Sequence, residues 1–408
     1  GYRGIDGTTV LDCPEVAEAF KKNNDLLSNE SLRVIGQAWY TAGKRLKEEG
    51  VDIDGYTMTE CIEDNESVRM ALDYDRINLL STSYGTRVAY LYGLKHPEHI
   101  FRSAMICVNP PGRFVWESKQ IDIQLRYYSS LWSKDPVMSG KTQNLYLTIQ
   151  NVLKDMPDRW LFVPINTGKV KVVTFSLLFH RKTAAMVFDA YVAAEKGDAS
   201  GLAIMSIAYD FVVPSLMVWG DLASKAVSAD FDSTRNYSAD MEPVSGMPLG
   251  SPMSMLLWSP LSNGGWPVNL IPEEFRTLGI SDVETLLLSG NIDFSTPAEY
   301  ATNELLPYLT KGKQIILSEY GHVGDVIYGN TESTRLILKS FFSTGVADTS
   351  LNAYLPMDFT VKLGFPAIAK IGAGVFALVI IMFGAVIFWF IRLLRKRCAN
   401  NEAGRLKV

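Results

Sequence analysis

The stretch Arg76-Ile-Asn-Leu-Leu-Ser-Thr-Ser-Tyr-Gly-Thr-Arg87 decides how the chain is read. Arg76 to Leu80 is a short apolar strand pattern and Tyr84 to Lys95 has helical spacing, so Ser81-Thr-Ser-Tyr-Gly85 is a strand-to-helix turn. Small residues two places to either side of Ser83 let a strand and a helix pack around a strained turn that lifts one hydroxyl clear of the backbone. Ser81 stands where such turns usually carry Gly, and Ser is small enough for the turn to form with slight crowding. Ser83 is therefore the candidate nucleophile. The backbone N–H of Tyr84 is the candidate oxyanion donor, since it follows the nucleophile directly.

Two later segments supply the groups a serine needs for activation. Leu286-Leu-Leu-Ser-Gly-Asn-Ile-Asp293-Phe-Ser-Thr-Pro297 is an apolar strand ending in a turn with a carboxylate, and Gln314-Ile-Ile-Leu-Ser-Glu-Tyr-Gly-His322 is a strand ending in a loop with an imidazole. A neutral His322 takes the proton from Ser83, and Asp293 holds the imidazole tautomer and stabilises the imidazolium that forms. The chain order Ser, Asp, His is that of the α/β-hydrolases. The alternative for Asp293 is a turn former or helix cap before Pro297, and for His322 a surface loop residue.

The flanking rhythm agrees. Helices are expected over Leu11 to Phe20, Ser31 to Glu49 and Tyr56 to Leu72, then the Arg76 strand, the Tyr84 helix and a strand over Ser103 to Cys107. After residue 273 come strand Thr285 to Ser289, helix Pro297 to Leu309, strand Gln314 to Leu317 and helix Ser333 to Phe342. Strand–helix–strand alternation implies a mainly parallel sheet with helical crossovers. Between them, aromatic- and Met-rich helical stretches are broken by loops such as Ser245-Gly-Met-Pro-Leu-Gly-Ser-Pro252. The expected organisation is α/β: an α/β-hydrolase core in two parts, 1–112 and 274–345, a helical cap inserted at 113–273, a linker at 346–370, a transmembrane helix at 371–391 and a basic tail at 392–408.

Ile371 to Ile391 is free of charge, and as a helix its 21 residues rise roughly 31 Å, the thickness of a bilayer's hydrocarbon core. Arg392, Arg395, Lys396 and Arg397 follow it, against Lys362 and Lys370 before it, so the tail is expected in the cytoplasm and the body outside or in a lumen. Trp389 suits an interfacial ring. Cys398, beside the basic cluster, is open to palmitoylation or is an idle thiol.

The 408 residues are 47% hydrophobic and 20% charged with a net charge of −5. This excludes disorder for most of the chain and argues against a nucleic-acid partner, which needs a basic face. Four cysteines without a CxxC pair point to neither a disulfide scaffold nor zinc, and no cofactor is implied. Cys13 and Cys61 are open to pairing in an oxidising compartment, and Cys107 reads as a buried thiol. In His96-Pro-Glu-His99 the Pro prevents the helical face of a zinc protease, so the motif reads as a polar helix end. His180 reads as a surface or cap residue, and Glu195, Asp198, Asp210 and Asp221 as solvated or locally paired acids. For all five the alternative is a substrate contact, with the acids holding a peptide's terminal ammonium. Asn29, Asn65 and Asn236 begin glycosylation sequons.

Tyr2-Arg-Gly-Ile-Asp-Gly7 with Leu11-Asp-Cys-Pro14 resembles the DxRGxG…LxCP stretch of proline-iminopeptidase and tripeptidyl-aminopeptidase-like α/β-hydrolases. The likeness continues through Tyr74-Asp-Arg-Ile-Asn-Leu79, the turn with Thr86-Arg87, Asn109-Pro-Pro111, Gly290-Asn-Ile-Asp293, Thr296-Pro297 and Gly321-His322. It spans about residues 1–345 and is loosest in the insert. The resemblance implies a serine hydrolase that cleaves small peptides near their N-terminus, under a helical cap, with Ser83, Asp293 and His322 as its triad; several members of that family act on esters. In that family an HGG-type oxyanion loop and the first strands precede the DxRG stretch. The chain also begins without Met or a signal segment. A preceding segment is therefore expected, because the strand before Ser83 would otherwise be an open apolar edge. The alternative is a weakly active or inactive subunit that keeps the fold as an interaction surface in a membrane complex.

Overall fold

A computed structural model describes residues 2–7, 9–22 and 25–405, with side chains apart from 264 and 396–405. Cys398 thus lies outside the described side chains. Four parallel strands form the sheet: β1 (Ile77–Thr82), β2 (Ile100–Ile106), β5 (Glu284–Gly290) and β6 (Gly312–Leu317), in the order β1-β2-β5-β6. The inner strands read as apolar runs because both of their faces are covered. Alternation sorts their side chains. Met105 and Leu287 join Ile62, Tyr90, Leu91 and Leu305 on one face, while Ala104, Ile106, Leu286 and Leu288 join Val326, Ile337 and Phe341 on the other. The first face carries helices Met58–Ala71 and Tyr84–Lys95, and the second carries Val323–Tyr328 and Thr331–Thr344.

A second apolar core belongs to the helical body between β2 and β5. Helices Pro14–Lys21 and Asn29–Glu48 pack into this core. The Phe20 ring meets Trp219 edge-on at 5.0 Å and Trp39 meets Trp266 at 5.6 Å. Pro14 occupies the first turn of its helix, where no N–H is needed, and the hydroxyl of Ser28 caps the next by accepting from the N–H of Ser31. Besides helices, the insert holds a feature not expected from its composition: a two-stranded hairpin, β3 (Arg159–Trp160) with β4 (Val163–Pro164).

Other elements differ from expectation for local reasons. The helix expected from Pro297 to Leu309 is broken into an α-turn (Ala298–Tyr300), a π-turn (Ala301–Leu305) and a 3₁₀-turn (Leu306–Tyr308), since Pro307 removes a donor. Cys107 has φ of +59°, so β2 ends at Ile106 rather than at Cys107. The apolar segment lies within one long helix, Phe365–Arg405, and no residue of its most apolar stretch is buried. Cys13 and Cys61 are both free, buried thiols.

Candidate active site

The C-terminal ends of β1, β5 and β6 meet at one rim, where an open parallel sheet places its loops. At the end of β1, Ser83 has φ of +50° and ψ of −127°, and its N–H donates to the Ile106 carbonyl at 2.8 Å. A side chain held at positive φ is strained, and the neighbouring strand stabilises it there. Ser81 causes no crowding. Its hydroxyl donates to the Ala104 carbonyl at 3.4 Å, and its Cβ lies 3.9 Å from where a Cβ on Gly85 would sit. Thr86 braces the turn from beneath, donating to the Ser83 carbonyl at 2.6 Å and accepting from the Asn109 N–H at 2.9 Å.

Arg87, one residue on, is fully buried. Its guanidinium pairs with Asp230 at 2.5 Å and donates to the Asn109 side chain at 2.9 Å. Asp230 also accepts from the backbone of Gly112 and Phe114 at 3.1 and 2.9 Å. Both charges are thus compensated, as burial requires. This network ties the nucleophile's helix to the helical body through the Thr86-Arg87 and Asn109-Pro-Pro111 segments.

His322 ends the loop after β6, just before helix Val323–Tyr328, and Asp293 lies in the loop after β5. The imidazole Nε2 is 2.9 Å from the Ser83 hydroxyl and Nδ1 is 2.8 Å from Asp293 Oδ2. A carboxylate only accepts, so Nδ1 carries the proton and Nε2 is left to accept from Ser83. Asp293 has no solvent exposure. Its Oδ1 accepts from the N–H groups of Ser295 and Thr296 at 2.8 and 3.0 Å, and the Thr296 hydroxyl donates to Oδ2 at 2.8 Å. Burial pushes this carboxyl up, but the His322 imidazole and the Thr296 donors outweigh it and hold Asp293 below the usual carboxylate range. Gly290 makes the meeting of the two loops possible. A Cβ there would fall on the carbonyl oxygens of Tyr320 and Gly321.

Three neighbours of the site were not legible as such in the sequence. Thr296 carried the signature of an Asp-x-Ser-Thr turn, whose side chain bonds the following backbone, without showing that its hydroxyl would reach the carboxylate. The thiol of Cys107 lies against Asp293; burial, and then that negative charge, push it well up, so it stays neutral. Phe179 belongs to the helical body, yet its carbonyl accepts from the His322 N–H at 2.7 Å and its ring lies 5.4 Å from the imidazole. No local pattern links positions so far apart in the chain.

The remaining candidates are elsewhere or engaged. Glu195 accepts from the Thr148 hydroxyl at 2.9 Å, Asp198 pairs with Lys370 at 2.6 Å, Asp210 with Lys169 at 2.6 Å, and Asp221 with Lys225. His180 packs over Gly324, two residues beyond His322. His96 and His99 stack with ring centres 6.1 Å apart beside Glu63 and Glu66, whose carboxylates are already paired with Lys95 at 2.7 Å and Arg69 at 2.7 Å.

Tyr84 opens its helix, a position whose N–H has no acceptor within the helix. The tyrosine and β1 form one wall of a cleft of 1130 Å³, lined chiefly by apolar groups including Leu72, Leu79, Leu80, Val88, Leu216 and Met217. Among the described residues β1 pairs only with β2, and this cleft runs along its other edge.

No protein-family model matches the chain, and no curated protein matches it. Among solved structures it is similar to an α/β-hydrolase enzyme from a Medee basin deep-sea metagenome, at 13% identity over 74% of this chain and 76% of that one, with a TM-score of 0.34. A serine hydrolase from Cycloclasticus zankles matches at 13% identity over 71% and 72%, with a TM-score of 0.32. An esterase from Exiguobacterium antarcticum matches at 14% over 72% and 76%, again with a TM-score of 0.32. The parallel sheet, the strained serine after β1, and the aspartate and histidine after β5 and β6 make this an α/β-hydrolase fold with a long apolar C-terminal helix.

Proposed function

We propose that the chain is a membrane-anchored serine hydrolase that cleaves acyl substrates through a covalent intermediate on Ser83. The observation that carries this reading is the unbroken hydrogen-bond chain from the Ser83 hydroxyl through His322 to Asp293, at 2.9 and 2.8 Å. In the mechanism His322 accepts the Ser83 proton as the oxygen attacks the acyl carbon, then delivers that proton to the leaving group. Water, deprotonated by the same imidazole, releases the acyl group and restores the serine. Asp293 stays ionised throughout and stabilises the imidazolium. The Tyr84 N–H donates to the oxyanion.

Ester hydrolysis, which the same triad can perform, is the first substrate class. Aminopeptidase action on small peptides, implied by the sequence resemblance, is the second reading. It requires a carboxylate for the substrate's ammonium, and Glu195, Asp198, Asp210 and Asp221 each have a partner within the chain. The insert between β2 and β5 acts as the cap, resting on the histidine loop through Phe179. The free edge of β1 is the place where a preceding segment or a partner subunit would pair and supply a second oxyanion donor.

The C-terminal helix is the proposed bilayer span, and the basic residues that follow it favour a non-cytoplasmic side for the body. A fluorophosphonate probe on the full chain in lipid tests the catalytic reading. Labelling at Ser83, lost in Ser83→Ala, is expected. A wild-type protein that stays unlabelled while co-purifying in a larger complex would favour the non-catalytic subunit instead. A panel of acyl esters and aminoacyl amides then separates the two substrate classes.

A further inference from the structure

The β3–β4 hairpin carries Leu161 and Phe162 at its tip, where only two residues connect the strands. Leu161 has φ of +53°, a conformation that L side chains adopt at a cost, and Phe162 is 73% exposed. Neither residue is needed there by the body's own packing. Beside them the Ser200–Val212 helix ends in Phe211, 79% exposed, and Val212, and the following turn adds exposed Leu216 and Met217. Six large exposed apolar side chains thus stand on elements that pack against one another, an apolar ridge of the kind that marks an interaction surface.

Where this ridge sits is set by the C-terminal helix. The Ser200–Val212 helix packs along it. Their starts are held together by Asp198, which accepts from the Ser200 hydroxyl at 2.6 Å and pairs with Lys370 at 2.6 Å. Ten residues past Pro366, the ring of Phe376 lies 6.3 Å from that of Phe162. Phe376 is five residues inside the uncharged segment that begins at Ile371, about 7.5 Å along the helix axis. Interfacial elements bury their apolar faces roughly 5–10 Å into the boundary between headgroups and acyl chains. Partly buried Trp160 and exposed Arg159 lie at the base of the hairpin, an amphipathic ring and a cation at the level of the headgroups. The acid next to the ridge, Asp210, is neutralised by Lys169.

We propose that the Leu161-Phe162 tip and the Phe211-to-Met217 turn form a second membrane contact, entering the leaflet that the C-terminal helix crosses and holding the body against the bilayer. This rests on the reading of that helix as a membrane span. Leu216 and Met217 also line the cleft beside Tyr84, so the contact brings that wall of the cleft to the lipid surface.

The test uses the full chain with Cys398→Ser in phosphatidylcholine nanodiscs, carrying an environment-sensitive NBD label at Phe162→Cys, Phe211→Cys, Val137→Cys or Ile380→Cys. Val137 is an exposed position on a separate helix, Pro136–Ser139, and Ile380 lies in the apolar helix. Lipids carrying a doxyl quencher at a shallow and at a deep acyl position should, between them, quench labels at 162 and 211 to within about twofold of the label at 380 and leave 137 unquenched. Quenching at 380 alone would overturn the second contact and leave the span standing. Absence of quenching at 380 would overturn the span and this inference with it. A blue shift at 162 and 211 that grows with protein concentration and resists lipid quencher would mean that a second copy covers the ridge, which also overturns the proposal.

Discussion

The two flanks of Ser83 are built to different standards. On the His322 side the carboxylate and both imidazole nitrogens of the triad are hydrogen-bonded. Asp293 accepts four hydrogen bonds, Thr296 and the backbone supply three of them, and two loops meet at a glycine where no side chain fits. On the β1 side, among the described residues, the strand's outer edge is unpaired, Leu80 is exposed, and an apolar cleft lined in part by Tyr84 runs along it. The difference separates two tasks of acyl transfer. Activating the nucleophile requires fixed neighbours, and this chain holds all of them. Stabilising the oxyanion requires donors beside the nucleophile, and there the chain offers the Tyr84 N–H at a helix N-terminus. Loss of one such donor costs about 10²–10³ in rate, whereas loss of the nucleophile removes the covalent route altogether.

The comparison is broken most directly at the closed flank. Ser83→Ala should abolish fluorophosphonate labelling and lower hydrolysis by at least about 10⁴-fold, with the double variant Ser83→Ala/His322→Ala no worse than either single change, because the residues act as a unit. Labelling that survives Ser83→Ala would place the nucleophile elsewhere. Asp293→Asn should slow labelling by about 10⁴-fold with the fold intact, since the amide no longer selects the Nδ1–H tautomer. The same variant tests the depressed carboxyl. Its folded pKa lies below the unfolded value, so its contribution to stability is complete above about pH 4 and is lost as pH falls through the folded pKa. Acid melting curves of wild type should therefore fall more steeply below pH 4 than those of Asp293→Asn.

Beneath the turn, Arg87→Ala leaves Asp230 buried and uncompensated and should destabilise the full chain by about 3–5 kcal/mol in denaturant titrations. Arg87→Met with Asp230→Leu should recover most of that loss; failure to recover would mean that the ion pair does more than neutralise itself. Thr296→Val sharpens the picture at smaller scale. Loss of one hydroxyl donor to Asp293, worth about 1 kcal/mol, should slow labelling by roughly fivefold without altering the melting midpoint beyond a few degrees. Smallest of all, Ser81→Gly should change the labelling rate by less than about twofold, because the serine already fits the turn that glycine usually occupies.

Legibility followed distance along the chain. The strand–turn–helix around Ser83, the strands before Asp293 and His322, and the apolar C-terminal segment each announce themselves within a dozen residues, through alternation, small residues at a turn, or an uninterrupted apolar run. Strand limits moved by a few residues where a backbone dihedral intervened, as at Cys107. The Pro297 helix lost its regularity to Pro307, a residue visible in the sequence but outweighed by the periodicity around it. Thr296 was visible as a turn residue and invisible as a partner of Asp293. The Arg87–Asp230 pair, the Phe179 carbonyl on the histidine loop and the contact between Phe162 and Phe376 join positions separated by tens to hundreds of residues, and no pattern of spacing encodes them.

Primary structure alone determined which groups can do acyl chemistry and which segment prefers hydrocarbon to water, because side-chain chemistry and local periodicity are properties of short stretches. Only the tertiary structure decided that hydroxyl, imidazole and carboxylate stand within hydrogen-bonding reach, and that the Leu161-Phe162 tip lies beside the C-terminal helix. Those outcomes depend on how helices and strands far apart in the chain pack against one another, and packing is settled by the burial of whole faces rather than by any one segment's preference.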